Sequence, residues 1–378
     1  MPDVHVVGAG PAGSIAAISA LRSNSSVLVS EDHARSGFPR NCSGLMSKDG
    51  LESLRGFVDY RPFVQNSIKG ADIYLGGERF SVRRSEPVAY VCDRAGFDEA
   101  LAQNAAQEGA VMRYNERIDA ISKLRSDNVI GADGPMSFVA RTFRFPKIAK
   151  HVATLQAELP YKSDGHAHAN EHADDSDPSV IEMHVSNALF PGFFAWVIPH
   201  DESTAEFGAG VLSPHRAAPA WNNLLKLKGI NPSTAPKPRG FVIPLRPRAR
   251  TAMKHNRRNV LLAGDAAGQV KCTTGGGVVF GGNCAAIAGR LATNPAAYEI
   301  EWRARYGPDI VIHGLIQDYI SSCPDARLAG LCRRIKRLNI DDYLSRHGHM
   351  DRPTRMVGLG AISYFLKNMG GMLYARKD

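Results

Sequence analysis

Gly8, Gly10 and Gly13 stand in a Gly-x-Gly-x-x-Gly turn behind the apolar run Val4-His5-Val6-Val7, and Glu31 follows eighteen residues after the last of them. Residues of these types at this spacing bind an adenine dinucleotide. Gly8 turns the chain off a strand, Gly10 lets backbone approach a pyrophosphate, and Gly13 lets a helix pack close to the sheet. Pro11 and Ala12 open that helix, whose free N–H groups and positive dipole end face the phosphates. Glu31, with Asp32 beside it, ends a second strand, Val27-Leu28-Val29, where a carboxylate accepts hydrogen bonds from a ribose. An acid here selects a free 2′-hydroxyl, that of FAD or NAD rather than NADP.

Three later segments narrow the dinucleotide to FAD. Tyr90-Val91-Cys92-Asp93-Arg94 precedes a helix, and Arg94 at its start is placed for the adenosine or pyrophosphate part of a flavin. Val129-Ile130-Gly131-Ala132-Asp133-Gly134 runs from a strand into a glycine turn that carries Asp133. In Asn259-Val260-Leu261-Leu262-Ala263-Gly264-Asp265, the acid follows Gly264 at a strand end, where it can hold ribityl hydroxyls. Gly275, Gly276 and Gly277 then open a helix and bring backbone N–H groups to the flavin edge, where negative charge builds on reduction.

These residues need a parallel sheet to hold them. The expected fold is α/β: a Rossmann-like FAD-binding domain, an inserted antiparallel β-sheet substrate domain, and a C-terminal helical region. Helices are predicted over Pro11 to Leu21, Phe97 to Gly109 and Gly275 to Leu291. Ser67 to Leu75 and Arg79 to Val82 read as strands joined by a Gly76-Gly77 hairpin. Val180 to Val185, Phe193 to Ile198 and Ala205 to Val211 read as an antiparallel sheet. The FAD-binding domain is assigned to 1–62, 88–148 and 240–297, the sheet domain to 63–87 and 149–239, and the helical region to 298–378.

With 44% hydrophobic and 22% charged residues, the 378-residue chain is globular in composition. Its six cysteines include no Cys-x-x-Cys pair, which fits reduced thiols and a cytoplasmic location. Neither long uncharged stretch, Val4 to Leu21 or Cys272 to Gly289, reads as a signal peptide or a membrane span. The net charge of +9 has no nucleic-acid motif to serve. Leu328, Leu331, Ile335 and Leu338, among Arg327, Arg333, Arg334, Lys336 and Arg337, form a basic amphipathic helix. Its apolar side either rests on an anionic membrane surface or docks on the protein's own body. His166, His168 and His172 lie in a segment rich in acids, alanine and serine and read as a solvated loop, so no metal site is assigned.

Taken together, the glycine and acid segments resemble, in order, the flavoprotein hydroxylase-like superfamily. A finer resemblance is to the geranylgeranyl reductase family, including archaeal enzymes that saturate the isoprenoid chains of membrane lipids. It rests on Pro39-Arg40-Asn41-Cys42-Ser43-Gly44-Leu45, on Pro191-Gly192-Phe193-Phe194-Ala195-Trp196-Val197-Ile198-Pro199, on Gly264 to Lys271 with Thr273 to Gly277, and on Trp302-Arg303, Tyr306-Gly307 and Met350-Asp351-Arg352-Pro353. The chain departs from the family pattern at Phe194 (tyrosine in the family), Ile198 (phenylalanine) and Cys272 (proline).

The resemblance implies that Arg40, Cys42, Ser43 and Gly44 lie beside the flavin, with Cys42 and Gly44 at the reacting centre. The implied activity is reduction of isolated C=C bonds in isoprenoid lipids or prenyl diphosphates. Such an alkene needs a hydride, available from N5 of reduced FAD, and a proton. Cys42 is the candidate proton donor, or the residue that positions the alkene. On an extended strand Phe194, Trp196 and Ile198 share one face, the expected substrate lining, with Phe193 and Val197 on the other. The electron donor is external, NAD(P)H or a ferredoxin. Two other readings stay open: a monooxygenase or halogenase on the same scaffold, and a non-catalytic flavin- or lipid-binding protein. A halogenase would often carry Trp-x-Trp-x-Ile-Pro, of which only Trp196-Val197-Ile198-Pro199 is present.

Overall fold

A computed structural model describes residues 1–40, 42–160 and 177–356. The histidines 166, 168 and 172 therefore lie outside the described residues. The chain runs β1 (Val4–Val7), α1 (Pro11–Leu21), β2 (Val27–Ser30), β3 (Leu45–Ser47), α2 (Lys48–Leu54), β4 (Val64–Ile68), β5 (Gly70–Leu75), β6 (Glu78–Arg83), β7 (Ala89–Cys92) and α3 (Arg94–Gln107). It continues through β8 (Val111–Arg113), β9 (Asn128–Gly131), α4 (Phe138–Thr142), β10 (His151–Pro160), β11 (Val180–Val185), β12 (Ala195–Pro199), β13 (Thr204–Leu212) and α5 (Ala217–Leu227). Then follow β14 (Arg239–Pro244), β15 (Ala252–His255), β16 (Arg258–Leu262), α6 (Val278–Arg290), α7 (Pro295–Ser322), α8 (Asp325–Arg337), α9 (Ile340–His347) and α10 (Pro353–Met356).

The first sheet has the order β15-β16-β9-β1-β2-β8, parallel except for the β15–β16 hairpin. Its central strands β1 and β2 are buried throughout, which fits their unbroken apolar runs. One face packs on α1, α3 and α6 through Ile15, Ile18, Leu101, Phe280 and Ile287. Helices α1 and α6 meet backbone to backbone: a Cβ on Gly289 would lie 2.1 Å from the Ala16 carbonyl oxygen.

The second sheet has the order β14-β10-β13-β12-β11-β5-β6. It is antiparallel except where β5 pairs β11 in parallel, which corrects the wholly antiparallel expectation. The reason is a strand that changes sheets. Ser67 to Leu75 is two strands, with β4 joining β3 and β7 in a small third sheet and β5 entering the second. Helix α5 covers one face of the second sheet through Trp221, Leu224 and Leu225. The opposite face carries Phe193, Phe194, Trp196, Ile198 and Ile243 in one cluster with Val270 and Cys272 of the loop before α6.

The expected alternation holds only from Ala195. Phe193 and Phe194 precede β12, and their rings pack together at 4.2 Å, so both join Trp196 while Val197 faces α5. Helix α3 starts at Arg94, three residues earlier than predicted, because the Asp93 carboxylate caps the amides of Ala95 and Gly96. Helix α6 starts at Val278; Gly275 has φ +73° and belongs to the preceding turn. Helix α8 lays Leu328 and Cys332, both fully buried, against β5 and β6. Leu331 and Ile335 are partly buried against the same cluster, while Leu338 at the end of the helix is 53% exposed. Among the described residues no helix is long and apolar enough to cross a membrane.

Candidate functional site

A cavity of about 610 Å³ opens between the first and second sheets. Its walls collect Gly8, Gly10, Pro11, Ala12, Glu31, Asp32, Arg40, Cys42, Arg94, Asp133, Gly264, Asp265, Gly275, Gly276 and Gly277 from segments spread over most of the chain. Gly13, Ser43 and Gly44 do not border it. Gly13 lies against the turn itself, since a Cβ there would stand 1.8 Å from the Gly8 carbonyl oxygen. Gly44 has φ +80°, and a Cβ on it would stand 2.2 Å from the Cys92 carbonyl oxygen, so it lets the cysteine loop close on β7. Phe194, Trp196 and Ile198 are buried in the core and also stand off the cavity wall. Phe193 comes nearest: its Cζ lies 3.5 Å from where a Cβ on Gly275 would be.

Arg94 and Asp98 form a buried ion pair at the site. Arg94 donates from Nε and Nη2 to the two carboxylate oxygens of Asp98 at 2.9 and 2.8 Å. Burial works against the Arg94 charge, but Asp98 more than offsets it, so the guanidinium stays charged. Burial pushes Asp265 up to about 6, against the pull of Arg94, and raises Asp133. Arg40 is half exposed and lies 3.4 Å from Asp93. Glu31 is buried, and one of its carboxylate oxygens accepts the Ala9 amide at 2.8 Å.

Two features fit FAD. A Cβ on Gly10 would meet no protein atom within 4 Å, so the turn leaves open space on the cavity side. Asp133 Oδ1 is buried without a hydrogen-bond partner on the cavity wall, an acceptor waiting for a donor. The glycine turn and α1 would hold the pyrophosphate, Glu31 the ribose, and Asp265 with the Gly275–Gly277 turn the flavin half.

Ser47, Lys271 and Asp351 also border the cavity; the sequence offered the last two only as members of longer motifs, with no site role, and Ser47 not at all. Lys271 and Asp351 are joined by an ion pair of 2.7 Å across 80 residues.

The cavity, the glycine cradle and the crossing of two sheets define a flavoprotein, and the FAD binding domain family matches residues 94–286. FAD is its cofactor, and the protein is an oxidoreductase. The chain belongs to the geranylgeranyl reductase family, whose digeranylgeranylglycerophospholipid reductases it matches along most of its length. The reductase of Methanosarcina acetivorans is 28% identical over 90% of this chain and 89% of its own. Reductase 1 of Methanopyrus kandleri is 30% identical over 79% of this chain and 81% of its own. Among solved structures, a geranylgeranyl bacteriochlorophyll reductase-like protein from Thermoplasma acidophilum superposes with a TM-score of 0.75, at 22% identity and 96% coverage of each chain. A flavin-dependent brominase superposes with a TM-score of 0.68 at 16% identity, covering 100% of each. These two likenesses describe the shared fold.

Proposed function

We propose that this flavoprotein saturates the isolated C=C bonds of geranylgeranyl chains carried by membrane lipids or prenyl diphosphates. Its relatives bear the name digeranylgeranylglycerophospholipid reductase. The observation that carries the reading is the apolar side of the cavity, where Leu45, Met46, Phe241, Val242 and Ile243 line the wall and Phe193, Phe194 and Trp196 pack in one cluster with Ile243 behind it. Bound and reduced, FAD supplies a hydride. The protein's task is then to hold a greasy chain, exclude water and place a proton. Cys42, on the cavity wall with Arg94, is the residue we assign to the proton or to alkene positioning. Phe194, Trp196 and Ile198 back the substrate surface.

The division of labour we propose gives FAD to residues 1–62, 88–148 and 240–297 and the substrate to residues 63–87 and 149–239, with residues 298–378 as a C-terminal helical region. The electron donor is external, either NAD(P)H or a ferredoxin. Leu328 and Cys332 of α8 are buried internally, so a peripheral contact with an anionic bilayer would use the basic residues of that helix.

Mass spectrometry of lipids from cells expressing the chain tests the reading. The expected result is a gain of two hydrogens per isoprene unit. Unchanged lipids, or products that form only with oxygen, would replace it with the non-catalytic or the monooxygenase reading.

A further inference from the structure

One ammonium group on the cavity wall has no part in the reaction described above. Lys271 is 5% exposed. Its backbone frames the glycine turn: its N–H donates to the Gly276 carbonyl at 3.0 Å, and its own carbonyl accepts from the Gly275 amide at 2.8 Å. Its side chain folds over the same turn, so that a Cβ on Gly276 would lie 3.4 Å from Cε and 3.9 Å from Nζ. Nζ donates to Asp351 Oδ1 at 2.7 Å, and Ser47 Oγ donates to the other oxygen of that carboxylate. His313 approaches Asp351 from α7 and is neutral near pH 7, its pKa lowered to about 4 by burial and then by the Lys271 charge. Burial pushes the Asp351 carboxyl up, but Lys271 and the hydrogen bonds from Lys271 and Ser47 overcome this and hold it below its usual range.

A buried ammonium is costly unless it is paired, and an ion pair adds little stability over an apolar substitute. This pair sits on the wall of the FAD cavity, at the three-glycine turn that precedes α6. Two electrons and one proton entering oxidised FAD leave one extra negative charge on the flavin. A fixed cation in a low-dielectric cavity favours that charged form over the oxidised one.

We infer that Lys271 tunes the reduction potential of the bound FAD, and that Asp351, brought by the C-terminal segment, attenuates its charge. The inference needs FAD in this cavity and holds whatever the substrate.

The two charges make opposite predictions. Holoprotein potentials are read by slow reductive titration against a reference dye. Lys271→Met should disfavour the reduced form by about tenfold, roughly −30 mV for a two-electron couple. Asp351→Asn should shift the potential upward, and Lys271→Arg should restore most of the wild-type value. Potentials that stay unchanged, or move the same way in Lys271→Met and Asp351→Asn, would overturn the inference and leave a structural pair. Should Lys271→Met fail to retain FAD, Asp351→Asn decides alone: a potential unchanged or lowered refutes it. These readouts need no lipid substrate, so they stand apart from the outcome of the lipid analysis.

Discussion

The Glu31 carboxylate accepts the amide of Ala9 at 2.8 Å, which ties the glycine turn to the end of β2. The other oxygen accepts the His33 amide at 3.0 Å. An acid placed for a ribose therefore also braces the turn. Glu31→Ala strands a buried N–H, which costs about 1–3 kcal/mol, and removes the ribose acceptor. Glu31→Gln keeps an acceptor without the charge. The ratio of flavin to protein absorbance after purification should fall several-fold in Glu31→Ala and less in Glu31→Gln. Wild-type FAD content in Glu31→Ala would contradict the assignment.

Gly10 and Gly13 are separable by one methyl group. At Gly10 the added carbon meets only open cavity, whereas at Gly13 it meets the Gly8 carbonyl oxygen at 1.8 Å. Gly10→Ala should therefore fold with an unchanged Tm as apoprotein and bind FAD at least about tenfold more weakly, since the methyl stands where phosphate must approach. Gly13→Ala should lose about 1–3 kcal/mol of stability, the usual cost of forcing an atom into packed structure. Thermal unfolding of both apoproteins, with FAD titration of the folded one, checks the pair.

What the sequence made legible was local. Strand, turn, helix and acid at residues 4–31 lie within one βαβ unit, so spacing alone locates them. Long-range pairing was hidden. The alternation of Ser67 to Leu75 is continuous through Lys69, and nothing in it marks the change of sheet between β4 and β5. Phe193 and Phe194 look like strand residues, but the strand begins after them. Lys271 and Asp351 are 80 residues apart and become partners only through the C-terminal segment. Glu206 did leave a trace, an acid between Ala205 and Phe207 in an otherwise apolar strand.

Trp196 lies over Gly208, its cross-strand partner. A Cβ there would stand 2.1–2.5 Å from three indole atoms. Gly208→Ala should cost about 1–3 kcal/mol, with less cost once Trp196→Leu has removed the indole. A double-mutant cycle read by denaturant unfolding should give a coupling above about 0.5 kcal/mol. Additive effects would mean that the indole moves aside freely.

Cys42 borders the cavity, while Cys92, the cysteine of the adjoining strand, is buried and its thiol is pushed up to about 12 by burial. Of the two, only Cys42 borders the cavity, which is why we assign it the proton or the alkene contact. Cys42→Ala should keep its bound FAD and yellow colour while alkene reduction falls at least about tenfold. Steady-state turnover on a prenyl lipid, beside the flavin spectrum, measures both, and full turnover would remove Cys42 from the chemistry.

Glu206 sits inside the second sheet at 2% exposure, and its Oε1 has no hydrogen-bond partner. Gln156, on β10 beside it, leaves both amide atoms unpartnered, and the Trp196 indole N–H draws on the Glu206 carboxylate yet closes no hydrogen bond of normal geometry. Burial pushes Glu206 up to about 8, against the opposing charge of Arg239. The folded chain therefore keeps this proton up to about pH 8, while the unfolded chain releases it near the ordinary glutamate value. Between those values the folded state holds one proton more, so Glu206's contribution to stability falls as pH rises and is lost above about 8. Glu206→Gln keeps the shape and cannot ionise. The Tm of the variant minus that of wild type should grow from pH 5 to pH 8 and level off beyond. A difference that stays constant across that range would mean that the carboxyl ionises as it would in water.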